Sequence, residues 1–134
     1  MRRCRVLVFA VTSLLLVAAR APAHHSFTVL FDSNRPVLLT GIVTTVEWTN
    51  PHVLFSLDVK DQTGAVTAWN FESGSPNVLR QRGWTRTSLS LGDTVTVDGF
   101  RAKNGSRFAV VVAVELSNGR TVFARASANG GPTR

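Results

Sequence analysis

The sequence predicts a small all-β domain that contains a single short helix. Short runs of alternating apolar and polar residues recur along most of the chain, and turn-forming residues separate them. One segment, residues 75–83, breaks this alternation and begins with Ser-Pro, the pair expected at a helix N-terminus. The length of 134 residues is enough for one domain with a modest core.

The first 23 residues are predicted to be a cleavable signal peptide. Three arginines among the first five residues form a positive n-region, residues 6–19 form an apolar h-region, and Ala-Pro-Ala at 21–23 is a small-x-small cleavage site. The apolar run is shorter than the roughly 20 residues that span a bilayer, which disfavours a retained membrane helix. We therefore expect a periplasmic or secreted protein whose mature chain begins at His24.

The formal net charge of +7 arises mostly in this N-terminal segment. Four arginines and no acidic residue lie within the first twenty positions, and the remainder has 11 basic and 8 acidic residues. So small an excess does not favour a dedicated nucleic-acid binder. Cys4 is the only cysteine and precedes the predicted cleavage site, so the mature chain offers no disulfide, thiol nucleophile or thiolate metal ligand.

The longest predicted strand runs from Val37 to about residue 48. The residues expected on its core-facing side share one parity: Leu38, Ile42, Val46 and Trp48. Gly41 in the middle of the strand predicts a bulge or bend. Pro51 cannot continue a β-ladder, so we expect a corner at residues 50–52 and a second strand at 53–59.

The residues before this strand predict a further short strand at 24–31, which could form a hairpin with the chain from Val37 onward. The register of this hairpin is left open. If Phe31 pairs with Val37, His25 lies opposite Val43, and Trp48 is then roughly 16 Å further along the strand at about 3.3 Å per residue. Because His52 lies beyond Trp48, this register is an objection to a metal site that contains both His25 and His52, which a different register or an extended arm would remove.

Downstream of the second strand, turn residues at 61–64 lead to a third strand at 66–72. The predicted helix then ends at Gly83, which is typical of a C-cap. Further strands are predicted at 94–99 and 108–116, with Asn-Gly at 104–105 as the turn between them, and at the edge at 121–125. Residues 126–134 are small, polar and Gly-rich, and we expect a disordered tail.

Three strands, a short helix and two further strands follow one another in the order of the oligonucleotide/oligosaccharide-binding (OB) barrel. The predicted fold is therefore a small OB-like Greek-key barrel of five to seven strands, formed by residues 24–125, with one short helix between strands three and four. A β-sandwich is the alternative, but it accommodates a lone helix after the third strand less well.

Several motifs together resemble a family of small exported bacterial proteins catalogued as a domain of unknown function. They include A-H-H-S-F at 23–27, V-E-W-T-N-P-H at 46–52 and L-G-D-T-V-T-V-D-G at 91–99. The resemblance covers nearly the whole mature chain. It implies export and a small β-barrel, and it brings no activity and no catalytic residues.

Our first functional hypothesis is an exported, non-enzymatic binding module for a small or anionic ligand. In an OB barrel the loop between strands one and two, here the corner at 48–52, and the hairpin at 101–107 border the usual ligand site. The candidate ligand-binding residues are Glu47, Trp48, Asn50, His52, Trp69, Arg101, Lys103 and Arg107. The alternative is an ordinary solvated turn, with at least two of the three tryptophans packed inside.

The second hypothesis is a periplasmic copper or nickel carrier. Cleavage before His24 would give that residue both an imidazole and a free α-amine, and His25, with or without His52, could complete the metal site. The alternative is adventitious or structural histidines, which we favour because short N-termini with two histidines often bind copper without a physiological role.

Enzymatic chemistry is not predicted. The sequence contains no nucleophile elbow, no Gly-rich phosphate cradle and no recognisable pair of catalytic carboxylates. Glu47 and Glu72 are the only acids near aromatic neighbours, and nothing in the sequence connects them.

Overall fold

The structure is a computed structural model that describes residues 27–125. Its elements, in chain order, are α1 (Phe27–Leu30), β1 (Phe31–Glu47), β2 (Leu54–Lys60), β3 (Val66–Glu72), α2 (Pro76–Gln81), β4 (Thr94–Ala102), β5 (Phe108–Glu115) and β6 (Thr121–Phe123). The predicted signal peptide, His24, His25 and the predicted tail lie outside the described residues. No helix within residues 27–125 has the length and apolar character needed to cross a bilayer.

The strands form one sheet that closes on itself. Their order is β3-β2-β1-β4-β5-β6, and neighbouring strands in this order are antiparallel. A short parallel pairing of β3 with β5 joins the two sides of the sheet into a five-stranded ring, and β6 extends it at the edge of β5. With α2 between β3 and β4, this is the predicted OB-like barrel, and the alternative sandwich is wrong.

β1 is long enough to pair with two strands, β4 along its first part and β2 along its second. Gly41 lies where the two pairings overlap, opposite both Val59 and Val95. A Cβ atom at this position would lie 2.6 Å from the backbone oxygen of Asp58. Glycine therefore permits the close approach of β2 at the point where β1 bends.

The predicted inward face of β1 is wrong in its first half. Leu38 and Ile42 are 74% and 50% exposed, because the core side there carries the odd-numbered residues, among them Val43. A β-bulge follows, since Val43 pairs with Leu57 but Thr45 pairs with Ser56, which leaves Thr44 as an extra residue. The bulge reverses the faces, so that only beyond it do even-numbered residues point inward. The consecutive threonines at 44 and 45 break the alternation of apolar and polar residues, and this break is the feature of the sequence that could have indicated the bulge.

The bulge gives Val46 and Trp48 the inward orientation that was predicted for them. Gly41 itself is not the bulge, although the sequence pointed to it. The predicted bend and the bulge are separate features of β1, three residues apart.

The N-terminal hairpin is also wrong. Residues 27–30 form α1, and Phe31 already belongs to β1, where it pairs with Ala102 of β4 rather than with Val37. Its ring packs 5.5 Å from that of Phe108 in a small second core that also contains Val110. The N-terminal segment is therefore attached to the outer side of β4 and β5.

The helix α2 forms as predicted. Ser75 caps it by accepting a hydrogen bond from the backbone nitrogen of Val78 at 3.4 Å, and Pro76 occupies the first turn. Gly83 follows with a φ of +85°. Trp84 is buried beside the helix, and its indole nitrogen donates to the carbonyl of Phe123 at 3.1 Å, which holds β6 against this end of the barrel.

Candidate functional site

The outer side of β1, β2 and β3 carries two rows of side chains that point away from the core. The first row is Thr45, Ser56 and Asn70, and the second is Glu47, Leu54 and Glu72. Their strand neighbours Phe55, Leu57 and Phe71 are fully buried, which shows that the two rows face outward. We call these six side chains the β1–β3 face.

The first row is connected by hydrogen bonds across all three strands. The hydroxyl of Thr45 donates to Ser56 Oγ at 2.9 Å, and Ser56 donates in turn to Asn70 Oδ1 at 2.8 Å. Because the amide oxygen of Asn70 is directed at Ser56, its NH₂ group points the other way and can donate to a ligand.

The second row ends at a hydrogen-bonding contact that joins the corner to β3. His52 Nδ1 lies 2.8 Å from Glu72 Oε1, with the two side chains 46% and 16% exposed. A carboxylate only accepts hydrogen bonds, so Nδ1 carries the proton. In the neutral imidazole, Nε2 then keeps its lone pair on the solvent side, where it can bind a ligand or a metal ion.

The backbone of the corner positions His52. The Asn50-Pro51 peptide bond is cis. Val53 is fully buried, its nitrogen donates to the carbonyl of Gly74 at 3.0 Å, and its carbonyl accepts from Ser73 at 2.9 Å. These bonds hold the residue after His52 against the residues after Glu72.

Arg125 adds a cation near the same carboxylate. Burial lowers the pKa of Arg125 below its ordinary value, the Glu72 carboxylate opposes this shift, and the nearby Arg82 adds to it. Sequence reasoning missed Arg125 altogether and left Glu72 unconnected. Both residues reach the site through long-range pairing, for which the local sequence carries no signal.

The hairpin at residues 101–107 approaches β3 from its other end. The backbone nitrogen of Asn70 donates to the carbonyl of Arg107 at 3.0 Å. Asn70 and Glu72 are successive outward positions on β3, roughly 6.6 Å apart at about 3.3 Å per residue. The corner and the hairpin therefore contact neighbouring positions of one face, and the side chain of Arg107 is exposed at its border.

A family model described as a family of unknown function, DUF6152, matches residues 11–111. The chain belongs to this family. No curated protein and no solved structure gave a match. The DUF6152 match includes the corner, the hairpin and all six residues of the β1–β3 face, whereas Arg125 and β6 lie beyond it. The predicted membership in a family of unknown function is confirmed, and the matched model carries no function.

Within this DUF6152 domain, Arg101 has a structural role. Its guanidinium donates from Nε to the carbonyl of Ser106 at 3.0 Å and from Nη2 to that of Gly105, and it lies 5.2 Å above the ring of Trp69. These contacts hold the turn of the hairpin closed. Lys103 is exposed, and its backbone nitrogen donates to Leu30 at 2.9 Å.

The two tryptophans of the predicted site do not contribute to the β1–β3 face. Trp69 alternates with Asn70, points to the inner side and stacks on Phe71 with ring centroids 6.4 Å apart. Trp48 also points inward, against the core. The β1–β3 face therefore consists of polar and aliphatic side chains, without an aromatic platform for bases or sugars.

Of the three candidate metal ligands, only His52 is among the described residues. Within residues 27–125 no group of three or more histidine, cysteine, aspartate or glutamate side chains is arranged to hold a metal ion. Asn50 is exposed at the corner.

Proposed function

We propose that the protein is an exported, non-enzymatic binding module whose ligand lies on the β1–β3 face, between the corner at 48–52 and the hairpin at 101–107. The observation that carries the proposal is the attachment of both loops to adjacent outward positions of β3. His52 contacts Glu72, and the backbone of Arg107 contacts that of Asn70. In OB barrels this face, bordered by these two loops, is the usual ligand site.

The groups on the face indicate a small, polar ligand with both hydrogen-bond donors and acceptors. Glu47 and Glu72 accept hydrogen bonds at one end, and the amide of Asn70 and the exposed Arg107 donate at the other. The absence of an aromatic side chain from the six residues and the presence of two carboxylates disfavour a nucleic-acid strand.

The test is amide chemical-shift mapping with a panel of sugars, sugar acids and small zwitterions. A ligand of the proposed kind should shift the amides of His52, Ser56 and Asn70 together. His52→Ala and Arg107→Ala should each weaken it, whereas Arg120→Ala, which removes an exposed arginine in the β5–β6 turn, should not. Shifts confined to another surface would refute the proposed face.

A second candidate function, copper or nickel binding, is favoured by one specific contact. Histidines that bind metals commonly donate their other ring N–H to a carboxylate, as His52 does to Glu72. The objection from the hairpin register no longer holds, because Phe31 pairs with β4. His24, His25 and His52 would be the ligands, with a nitrogen donor set that suits Cu(II).

Mass spectrometry of the mature N-terminus tests the export and metal proposals together. Any residue left before His24 removes the amine ligand and with it the metal site. With an intact end, calorimetry with Cu(II) should show weaker binding for both His24→Ala and His52→Ala. An affinity no higher than that of a free His-His peptide would refute an evolved site.

A further inference from the structure

A second cleft opens beside the end of β1 and shares Thr45 and Glu47 with the β1–β3 face. It lies between the end of β1 and the loop that follows α2, and its volume of about 810 Å³ is in the range of small-molecule sites. Its lining residues are Thr44, Thr45, Val46, Glu47, Trp48, Thr49, Arg86, Leu89, Ser90 and Leu91. The loop residues of its lining (Arg86, Leu89, Ser90 and Leu91) belong to neither functional hypothesis.

The cleft is preformed because its two walls are bonded to each other at the bulge. The nitrogen of Val43 donates to the carbonyl of Asp93 at 2.9 Å, and the nitrogen of Gly92 donates to the carbonyl of Val43 at 2.9 Å. Ser90 is held in turn by the carboxylate of Asp93, which accepts from its nitrogen at 3.0 Å. The loop that carries Leu91 is thus attached to the strand that carries Trp48.

One part of the lining is apolar and partly open. Leu91 is 70% exposed, and Leu89 and Trp48 continue the apolar surface down to the core. A large aliphatic side chain exposed beside an indole gives an apolar molecule a surface to cover.

Arg86 is the cation in the lining of the cleft. No carboxylate of residues 27–125 lies within ion-pair distance of its guanidinium. The side chain is exposed, so it can pair with an anionic group of a ligand.

We propose that this cleft binds a small molecule that has a carboxylate on an apolar body. The carboxylate pairs with the guanidinium of Arg86, which suits two-pronged recognition of a carboxylate. The apolar body covers Leu91 and the part of Trp48 that lines the cleft. The proposal does not depend on the β1–β3 face.

Glu47 distinguishes two sources of such a carboxylate. It lines the same cleft and is not ion-paired with Arg86. An apolar amino acid would place its ammonium group near Glu47, whereas a fatty carboxylate gains nothing there. Tighter binding of leucine than of octanoate, lost in Glu47→Gln, would identify the amino-acid class, and the opposite order would identify the fatty carboxylate.

The experiment measures binding of octanoate, leucine and octanol by calorimetry and tryptophan fluorescence. A carboxylate ligand should bind, and octanol should bind at least about tenfold more weakly, in line with a charge-assisted hydrogen bond. Arg86→Gln should lower the affinity for the carboxylate ligand by a similar factor. Arg120→Gln, which removes an exposed arginine elsewhere, should leave its affinity unchanged.

Leu91→Ser removes an exposed apolar side chain of the cleft, so it should weaken binding without lowering the unfolding temperature. Arg86 is also exposed, and its substitution keeps the test valid if the Leu91 variant does not fold. Equal affinity for octanol and the carboxylates, no binding of either carboxylate, or unchanged affinity in Arg86→Gln would overturn the proposal. His52→Ala should not change the affinity of this cleft for the carboxylate. This variant therefore distinguishes a failure of the cleft proposal from a failure of the proposal for the β1–β3 face.

Discussion

The Nδ1 atom of His52 lies 2.8 Å from Oε1 of Glu72, which connects the corner after β1 to the end of β3. The contact brings together two residues that the sequence separates by an entire hairpin. It also orients the imidazole, since Nε2 is left as the outward-facing nitrogen. The proposed ligand site on the β1–β3 face and the proposed metal site both include His52 and both depend on this contact.

Replacing Glu72 by alanine should destabilise the protein more than replacing His52 by alanine. Glu72 is 16% exposed and lies near the partly buried Arg125, which would lose a favourable carboxylate, whereas His52 is 46% exposed. We expect a loss of roughly 1–3 kcal/mol in the free energy of unfolding for Glu72→Ala and below about 1 kcal/mol for His52→Ala. Urea denaturation of both variants measures this, and equal losses would contradict the role given to Arg125.

Replacing Arg101 by alanine should reduce stability more than replacing Arg107, because Arg101 has a structural role and Arg107 is proposed to bind the ligand. Arg101→Ala removes two hydrogen bonds to the turn and the contact with Trp69, and we expect a loss of about 1–2 kcal/mol. Arg107→Ala removes the same charge from an exposed position and should change stability by no more than about 0.5 kcal/mol. Thermal unfolding compares the two variants directly. A larger effect of Arg107→Ala would show that the hairpin is held by another set of contacts.

Gly41→Ala should be strongly destabilising. The added Cβ would lie 2.6 Å from the backbone oxygen of Asp58, so β1 and β2 would have to move apart at the bend. We expect a loss of roughly 1–3 kcal/mol, as for other overpacked sites. Ser33→Ala, at an exposed position of the same strand, serves as the control and should stay within about 0.5 kcal/mol of the wild type. Chemical denaturation that finds the two variants alike would mean that the strands separate there without cost.

Deleting Thr44 should leave the native fold intact. Thr44 is the extra residue of the bulge, so Val43 and Thr45 become consecutive in the deletion variant and still pair with the consecutive residues Leu57 and Ser56. Val46 and Trp48 therefore stay on the core side. Thr44→Ala keeps the bulge and should also fold normally, because this side chain is exposed. Circular dichroism and amide-proton dispersion check both variants, and a deletion variant that does not fold cooperatively would show that the bulge itself is required for the path of β1.

The order of the elements and the helix cap could be read from the sequence. Alternation of apolar and polar residues, the Ser75-Pro76 start of α2 and the glycine after its end all depend on residues within a few positions of one another. The order of strands and helix along the sequence is compatible with few closed β folds, and the OB-like barrel is one of them. The corner and the hairpin could be nominated as site loops for the same reason.

The composition of the candidate site was only partly predictable. His52 and Arg107 were identified, but Glu72 and Arg125 come close to them only through the pairing of β2, β3, β5 and β6. Trp69 was expected on the exposed side and lies on the inner side under Arg101. Aromatic side chains satisfy the patterns for a stacking platform and for a core equally well, so the local sequence does not distinguish them.

The sequence by itself determined which segments after residue 36 are strands, where α2 begins and ends, and the closed β architecture, because these depend on local periodicity and turn chemistry. Tertiary structure decided which way β1 faces and which residues surround His52. One extra residue at the bulge reverses every later side chain of the strand, and its effect exists only relative to the partner strand. A pattern within one strand cannot contain that information.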